Sequence, residues 1–99
     1  MTTETVRVVA RITAQPGKVE ELKSILLDVV GPTRQDLGCI SYQLLQNRED
    51  PGDFTFVEEW ESDTAIDAHL VTAHVQDALS KAQPLLSVAP DIRRYVIIA

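Results

Sequence analysis

The chain has 99 residues, of which 44% are hydrophobic and 24% charged, so it is expected to form one globular domain over residues 1–99. Its formal net charge of −6 would repel a phosphate backbone, which argues against nucleic-acid binding. No apolar run approaches the roughly 18 residues of a membrane helix, and the N-terminal residues lack the apolar core of a secretory signal. A cytoplasmic protein that does not associate with membranes is expected.

The first third of the chain predicts a strand followed by a helix. Residues 5–14 alternate between apolar and polar side chains, which indicates a half-buried strand. After the "QPG" break at 15–17, apolar residues recur at helical spacing, which predicts a helix over about 18–36. Pro32 lies inside this helix and predicts a kink or a short break, because proline removes a backbone donor. Gly38 is predicted to end the helix as a left-handed cap.

The next segment predicts a hairpin. A strand is expected at 39–46, with its apolar residues on one side, namely Ile40, Tyr42 and Leu44. The "DPGD" turn at 50–53 has proline second and glycine third, a pattern typical of a type II turn. The strand after it covers 54–61.

The last third predicts a second helix and a closing strand. Ser62 or Asp63 can cap a helix that extends to about residue 82. Pro84 and Pro90 bracket a loop, and "DIRRYVIIA" at 91–99 reads as the final strand.

The order of elements predicts the fold class. Strand, helix, strand, strand, helix, strand is the ferredoxin-like βαββαβ arrangement, an α+β fold with a four-stranded antiparallel sheet and two helices on one face. The other face also carries apolar residues, including Val9, Leu45 and Val57. Covering that face with a second copy of the chain would produce a homodimer. On the same face, cross-strand ion pairs are expected between two basic and two acidic residues, namely Arg7 and Arg11 with Glu59 and Glu61.

Both histidines of the chain lie close together, at His69 and His74. On one continuous helix, residues five apart point about 140° away from each other, whereas chelating pairs are three or four apart. No metal site is therefore predicted. His69 lies on the flank of the apolar stripe, where it is either a buried core-edge residue or a pocket residue. In the pocket it would transfer a proton near neutral pH or donate a hydrogen bond to a developing anion.

Three more side chains point to the covered side of the sheet. Trp60 shares its strand face with Phe56, so it either fills the core or helps to floor a cavity for a flat aromatic ligand. Glu58 lies on the same face, and a carboxylate in an apolar interior must pair, become protonated or act as a base. A hydrogen bond from Glu58 to His69 or Tyr42 is the simplest expectation.

Three stretches of the chain resemble the antibiotic biosynthesis monooxygenase (ABM) family of dimeric α+β barrel proteins, which includes quinol monooxygenases. They are "ARITAQPGKVEELKSIL" at 10–26, "GCISYQL" at 38–44 and "FVEEWESDTAIDAHLVTAH" at 56–74. The resemblance implies the ferredoxin-like fold, a homodimer and a pocket between helices and sheet. It also implies oxidation of a quinol-like or polycyclic phenolic aromatic by dioxygen, without flavin, haem or metal.

The resemblance also implies roles for particular residues. His69 would be the base or a hydrogen-bond donor to the anion, Trp60 would line the ring site, and Tyr42 and His74 would be secondary polar contacts. From its place on the covered face Glu58 is a second catalytic candidate, and Phe56 and Ile66 are further candidates for substrate contact. Relatives that act on anthrone-like rings have an asparagine and a tyrosine at the positions of Phe56 and Ile66, so their detailed mechanism is not carried over. Haem-degrading relatives use an asparagine and a histidine where this chain has Ala10 and Leu79, which argues against haem breakdown.

Two alternatives remain open from the sequence. One is a noncatalytic or stress-related dimer whose pocket holds a small hydrophobic molecule. The other is an isomerase of the same fold that uses His69 or Glu58 as a base without consuming oxygen.

Overall fold

The computed structural model describes residues 4–99, and it consists of an antiparallel sheet covered on one face by helices. The elements in chain order are β1 (Val6–Thr13), α1 (Val19–Arg34), β2 (Cys39–Gln46), β3 (Asp53–Trp60), α2 (Asp63–Leu70), α3 (Ala73–Ala82), a 3-10 helix (Gln83–Leu85) and β4 (Asp91–Tyr95). The strands pair in the order β2-β3-β1-β4, and all pairs are antiparallel. This order confirms the predicted α+β, ferredoxin-like fold.

The core lies between the helices and one face of the sheet. In β1 and β3 every second side chain is buried, as expected for strands with one covered face. The antiparallel register places Val8 opposite Glu58 and Ala10 opposite Phe56, so both strands present their buried set to the same side. Helix α1 covers this face with Leu22, Leu26, Val29 and Thr33, which recur at intervals of three or four residues.

The end of α1 differs from the prediction. The helix continues through Pro32 without the expected break and ends at Arg34, so the proline is tolerated in its last turn. Two backbone hydrogen bonds of the 3-10 type end the helix. The Gln35 amide donates to the Pro32 carbonyl, and the Asp36 amide donates to the Thr33 carbonyl. Gly38 has a φ of +87°, but it lies in the turn after the helix and is not its cap.

The hairpin is confirmed, with two local corrections. A bulge between Cys39 and Ser41 shifts the register, so Ile40 is half exposed and does not share the buried face of Tyr42. The turn is not type II, because Gly52 does not have the positive φ that this type requires. Instead the Asp50 side chain accepts a bond from the Gly52 amide at 3.3 Å, and its carbonyl accepts from Asp53 at 3.0 Å.

The predicted single helix from residue 62 to 82 is wrong: the chain forms two helices, separated at 71–72. Ser62 caps α2 as expected, since its hydroxyl accepts the Ala65 amide at 3.1 Å. Thr72 caps α3 by accepting the Val75 amide, and its hydroxyl donates to the His69 carbonyl at 2.7 Å. The same side chain therefore closes α2 and starts α3.

The outer face of the sheet is open in the single chain. Arg7 forms the predicted ion pair with Glu59 at 3.6 Å. Arg11 pairs with Asp53 at 3.3 Å instead of Glu61, because the register places Arg11 opposite Thr55, near the start of β3. The final strand is shorter than predicted and ends at Tyr95. Within residues 4–99, no helix is both long and apolar enough to span a membrane.

Candidate active site

A cavity lies between the covered face of the sheet and the helices. It has a volume of about 70 Å³, measured as the space open to the centre of a water molecule. Only three of the side chains that line it carry polar atoms, namely Tyr42, Glu58 and His69. At one end it is lined by Leu79 and Ile92, which are partly exposed, so the cavity meets solvent beside β4. An apolar hollow with a few convergent polar groups is the usual form of a small-molecule site.

His69 lies in the last turn of α2 and is 5% exposed. Its Nδ1 atom is 2.9 Å from Oδ2 of Asp36, in the turn between α1 and β2. Burial lowers the pKa of His69, and the positive charge that His74 can carry lowers it further, while the hydrogen bond and charge of Asp36 oppose both effects. The imidazole is thus favoured in its neutral form, in which it can accept a proton.

His74 contacts the same carboxylate oxygen, with its Nε2 atom 2.9 Å from Oδ2 of Asp36. The break at 71–72 makes this contact achievable, because α3 starts in a new direction after Thr72. The predicted divergence of the two histidines is therefore wrong, since it assumed one continuous helix. We call Asp36, His69 and His74 the Asp36 triad.

The Asp36 triad is the set of three His, Cys, Asp or Glu side chains within residues 4–99 that could hold a metal ion, with ligand atoms all within 4.8 Å of one another. Two imidazoles and a carboxylate suit zinc or ferrous iron. However, both ring nitrogens contact one oxygen at hydrogen-bond distance, and an ion would have to replace both bonds. We therefore describe the Asp36 triad by its hydrogen bonds, and the expectation that it holds no metal stays a prediction.

Glu58 lies on β3 and is 5% exposed. Its predicted partner was His69 or Tyr42, but its carboxylate accepts a hydrogen bond from Nε1 of Trp60 at 2.8 Å. Residues two apart on a strand share one face, which explains this pairing. Burial raises the pKa of Glu58 to about 7, and the bond from Trp60 opposes the rise. Glu58 can therefore exist as either acid or carboxylate near neutral pH.

Aromatic rings surround His69. The His69 ring centroid is 4.6 Å from that of Trp60 and 5.8 Å from that of Tyr42, and Tyr42 in turn is 5.0 Å from Phe56. Burial, followed by the nearby negative charge of Glu58, raises the pKa of Tyr42, so its phenol stays protonated at neutral pH. These rings hold the His69 ring in place and exclude water from one side of it.

The structure places five of the seven predicted site residues on the cavity wall, namely Tyr42, Phe56, Glu58, Ile66 and His69. Trp60 is fully buried and is not among the residues that line the cavity. It donates a hydrogen bond to Glu58, and its ring packs against that of His69. His74 lies outside the cavity, on a surface groove with Asp77 and Lys81.

Sequence reasoning missed Asp36. An acidic residue in a turn is usually solvated, and nothing in its immediate sequence marks it as the partner of residues 33 and 38 positions away. Thr72, a residue type that favours the N-cap position of a helix, was a sequence signal for this arrangement. It predicts a helix start between the two histidines, and hence their convergence.

The fold and the cavity define a class: ferredoxin-like α+β domains with a buried carboxyl group and a buried imidazole on an apolar cavity. The family model described as "Antibiotic biosynthesis monooxygenase" (ABM) matches residues 5–81, so the chain belongs to this family.

Two curated relatives and a solved structure show the extent of the similarity. The Synechocystis sp. protein sll1783 is 30% identical over 90 residues, which cover 91% of this chain and 61% of that protein. The chain thus spans about three fifths of that relative. "Putative monooxygenase YcnE" of Bacillus subtilis is 32% identical over 86% of this chain and 90% of its own length. The crystal structure of PA3566 from Pseudomonas aeruginosa has a TM-score of 0.92 and 31% identity, over 100% of this chain and 99% of that one.

Proposed function

We propose that this protein is a cofactor-independent monooxygenase that oxidises a quinol-like or polycyclic phenolic aromatic with dioxygen. The observation that carries the proposal is the position of His69, a buried imidazole that lines an apolar cavity while its Nδ1 atom is bonded to Asp36. Membership of the ABM family, and the monooxygenase name of the Bacillus subtilis relative, agree with it.

In this proposal His69 acts as the base. A hydroxyl proton of the substrate passes to the free ring nitrogen, and the electron-rich anion that remains can transfer an electron to dioxygen. The lowered pKa of His69 favours the unprotonated acceptor, and a well-placed base of this kind contributes about 10²–10⁴-fold to a rate. The apolar wall excludes water, which strengthens the electrostatic interactions within the cavity.

Glu58 acts as the acid. A quinol and dioxygen balance as a hydroxyquinone and water, so the substrate supplies all four electrons that dioxygen takes up. One oxygen atom enters the ring, and the other leaves as water and needs two protons. With a pKa of about 7, the Glu58 carboxyl is partly protonated at neutral pH and can donate one. The ring of the substrate would lie against Tyr42, Phe56 and Ile66 on the cavity wall.

Oxygen uptake tests the proposal. Purified protein is incubated with menadiol or a dihydroxyanthracene, and the rate without protein is subtracted. His69→Gln should lower kcat about 100-fold or more. Glu58→Gln cannot donate the proton, so it should lower kcat near pH 7 and remove the further fall in activity above pH 7. Glu61→Gln is the matched control, because Glu61 is exposed and does not line the cavity. Uptake at the protein-free rate across a broad quinol panel would contradict the oxygenase, and substrate turnover without uptake would indicate an isomerase.

We also propose that the protein is a homodimer whose subunits meet through the outer faces of their sheets. On that face Leu45 and Tyr95 are exposed, and the chain ends in the exposed apolar residues Val96, Ile97 and Ile98. Apolar surface of this extent favours a second copy as its cover. Light scattering should give twice the chain mass of 11.0 kDa, and a stable species of single mass would contradict the dimer.

A further inference from the structure

We propose that Asp36 is the positioning residue of this site: it fixes His69 as the Nδ1–H tautomer, and His74 holds the Asp36 carboxylate in place as a second donor. The proposal rests on the proposed function only in treating His69 as the base. Its structural content concerns the Asp36 triad and can be tested without a substrate.

The tautomer follows from the hydrogen bonds. A carboxylate only accepts, so the Nδ1 atom of His69, at 2.9 Å from Oδ2 of Asp36, must carry the proton of this bond. A neutral imidazole has one protonated nitrogen, and Nε2 is therefore the free acceptor. The opposite tautomer would place two acceptors against each other. Asp36 thus decides which nitrogen of His69 is basic.

The carboxylate itself is held from several directions. His74 donates to the same Oδ2 atom from α3, at 2.9 Å. The backbone amide of Asp36 donates to the Thr33 carbonyl at 2.9 Å, and its carbonyl accepts from the Cys39 amide at 3.1 Å. The Asp36 side chain is 14% exposed, so it has little room for other rotamers. His74 adds a contact that the backbone alone does not supply.

His74 and His69 both contact the single negative charge of the Asp36 carboxylate. The hydrogen bond and charge of Asp36 raise the pKa of His69, and a positive charge on His74 lowers it. The other titratable groups near His69 are Glu58 and Tyr42, on the cavity wall. The His74 side chain is 25% exposed and lies on a surface groove, whereas His69 is enclosed.

Nitrogen-15 NMR of the imidazole rings tests the proposal directly, since the chain has two histidines and the spectrum contains two ring systems. In the wild type, His69 should show a protonated Nδ1 and an unprotonated Nε2 throughout the range in which it is neutral. In Asp36→Asn the two tautomers should mix and the pKa of His69 should fall. In His74→Gln, whose amide can still donate to Asp36, the tautomer should persist and the pKa of His69 should rise.

Asp91→Asn is the matched control, because Asp91 lies at the exposed start of β4 and pairs with Arg93. It should leave both His69 signals unchanged. An unaltered tautomer in Asp36→Asn, or an unmoved His69 pKa in His74→Gln, would overturn the proposal. If Asp36→Asn does not fold, His74→Gln still decides, and the wild-type tautomer alone can refute the assignment.

The activity readout separates this inference from the proposed function. If the wild type consumes oxygen, Asp36→Asn should lower kcat about tenfold or more with little change in KM, because binding is left intact. An inactive wild type with the predicted tautomer shifts would leave Asp36 as the positioning residue and refute the oxygenase. An active wild type with unchanged tautomers in Asp36→Asn would support the oxygenase and refute the positioning role of Asp36.

Discussion

Replacing Glu58 with glutamine should stabilise the protein at high pH and have little effect at low pH. Glu58 is buried, and its pKa is raised from an ordinary value of 4.5 to about 7. The folded state therefore binds the proton more tightly than the unfolded state. The contribution of this proton to stability is complete below pH 4.5 and is lost as the pH rises from 4.5 to about 7.

The size of the stability change follows from the difference between the pKa of Glu58 in the folded protein and its ordinary pKa. The difference between about 7 and 4.5 is about 2.5 pKa units, and at 1.36 kcal/mol per unit it corresponds to about 3 kcal/mol. Glutamine has no charge to desolvate, and its carbonyl can still accept the bond from Trp60. The stability of Glu58→Gln relative to the wild type should thus increase by about 3 kcal/mol between pH 4 and pH 8.

Urea unfolding at 25 °C, at several pH values and one protein concentration, measures the difference. His69 acts in the opposite direction, because its lowered pKa makes the fold lose stability as the pH falls below 6.5. This contribution is present in both proteins and cancels in the comparison. Glu61→Gln serves as the control at an exposed position. A stability difference that stays constant from pH 4 to pH 8 would show that burial does not perturb Glu58.

Three further predictions concern the turn before β2, the partner of Glu58 and the Asp36 triad. Gly38→Ala should cost about 2 kcal/mol or more in urea unfolding, because φ is +87° and a Cβ would lie 2.5 Å from that of Ala65. Gly31→Ala, in a helix with open space around it, should instead stabilise by about 0.5–1 kcal/mol, and equal effects would refute the argument. Trp60→Phe removes the indole donor, so the pKa of Glu58 should rise and the high-pH limit of oxygen uptake should move upward. EDTA dialysis should leave oxygen uptake unchanged, whereas a loss restored by iron or zinc would assign the Asp36 triad to a metal.

The fold could be predicted from the sequence because its signals are local and periodic. The alternation in β1 and β3 and the helical spacing in α1 each report one covered face, and the order of elements then restricts the topology. The wrong predictions concern positions where contacts with distant segments override a local sequence rule. Gly52 is the residue type expected in a type II turn but does not have the positive φ of that turn, and Ile40 lies at a β-bulge that the alternation of side chains does not predict.

The site could be predicted only in part, for a related reason. His69, Glu58 and Tyr42 were identified because strand and helix periodicity assigns them to the covered face, and all three line the cavity. Asp36 was missed because its role arises from contacts between distant segments. The orientation of His74 was wrong because one capping threonine, Thr72, divides what periodicity read as a single helix.

The same physical cause produces both reactive groups of the proposed mechanism. Removal from water disfavours charge, so one apolar cavity raises the pKa of a carboxyl and lowers that of an imidazole. In water Glu58 would be the stronger acid by about two pKa units. Burial raises the pKa of Glu58 to about 7 and lowers that of His69, so this difference is lost. An acid and a base that can both work at the same pH therefore follow from the position of Glu58 on β3 and of His69 on α2. In the proposed arrangement Asp36 determines which nitrogen of His69 is free, and His74 holds the Asp36 carboxylate.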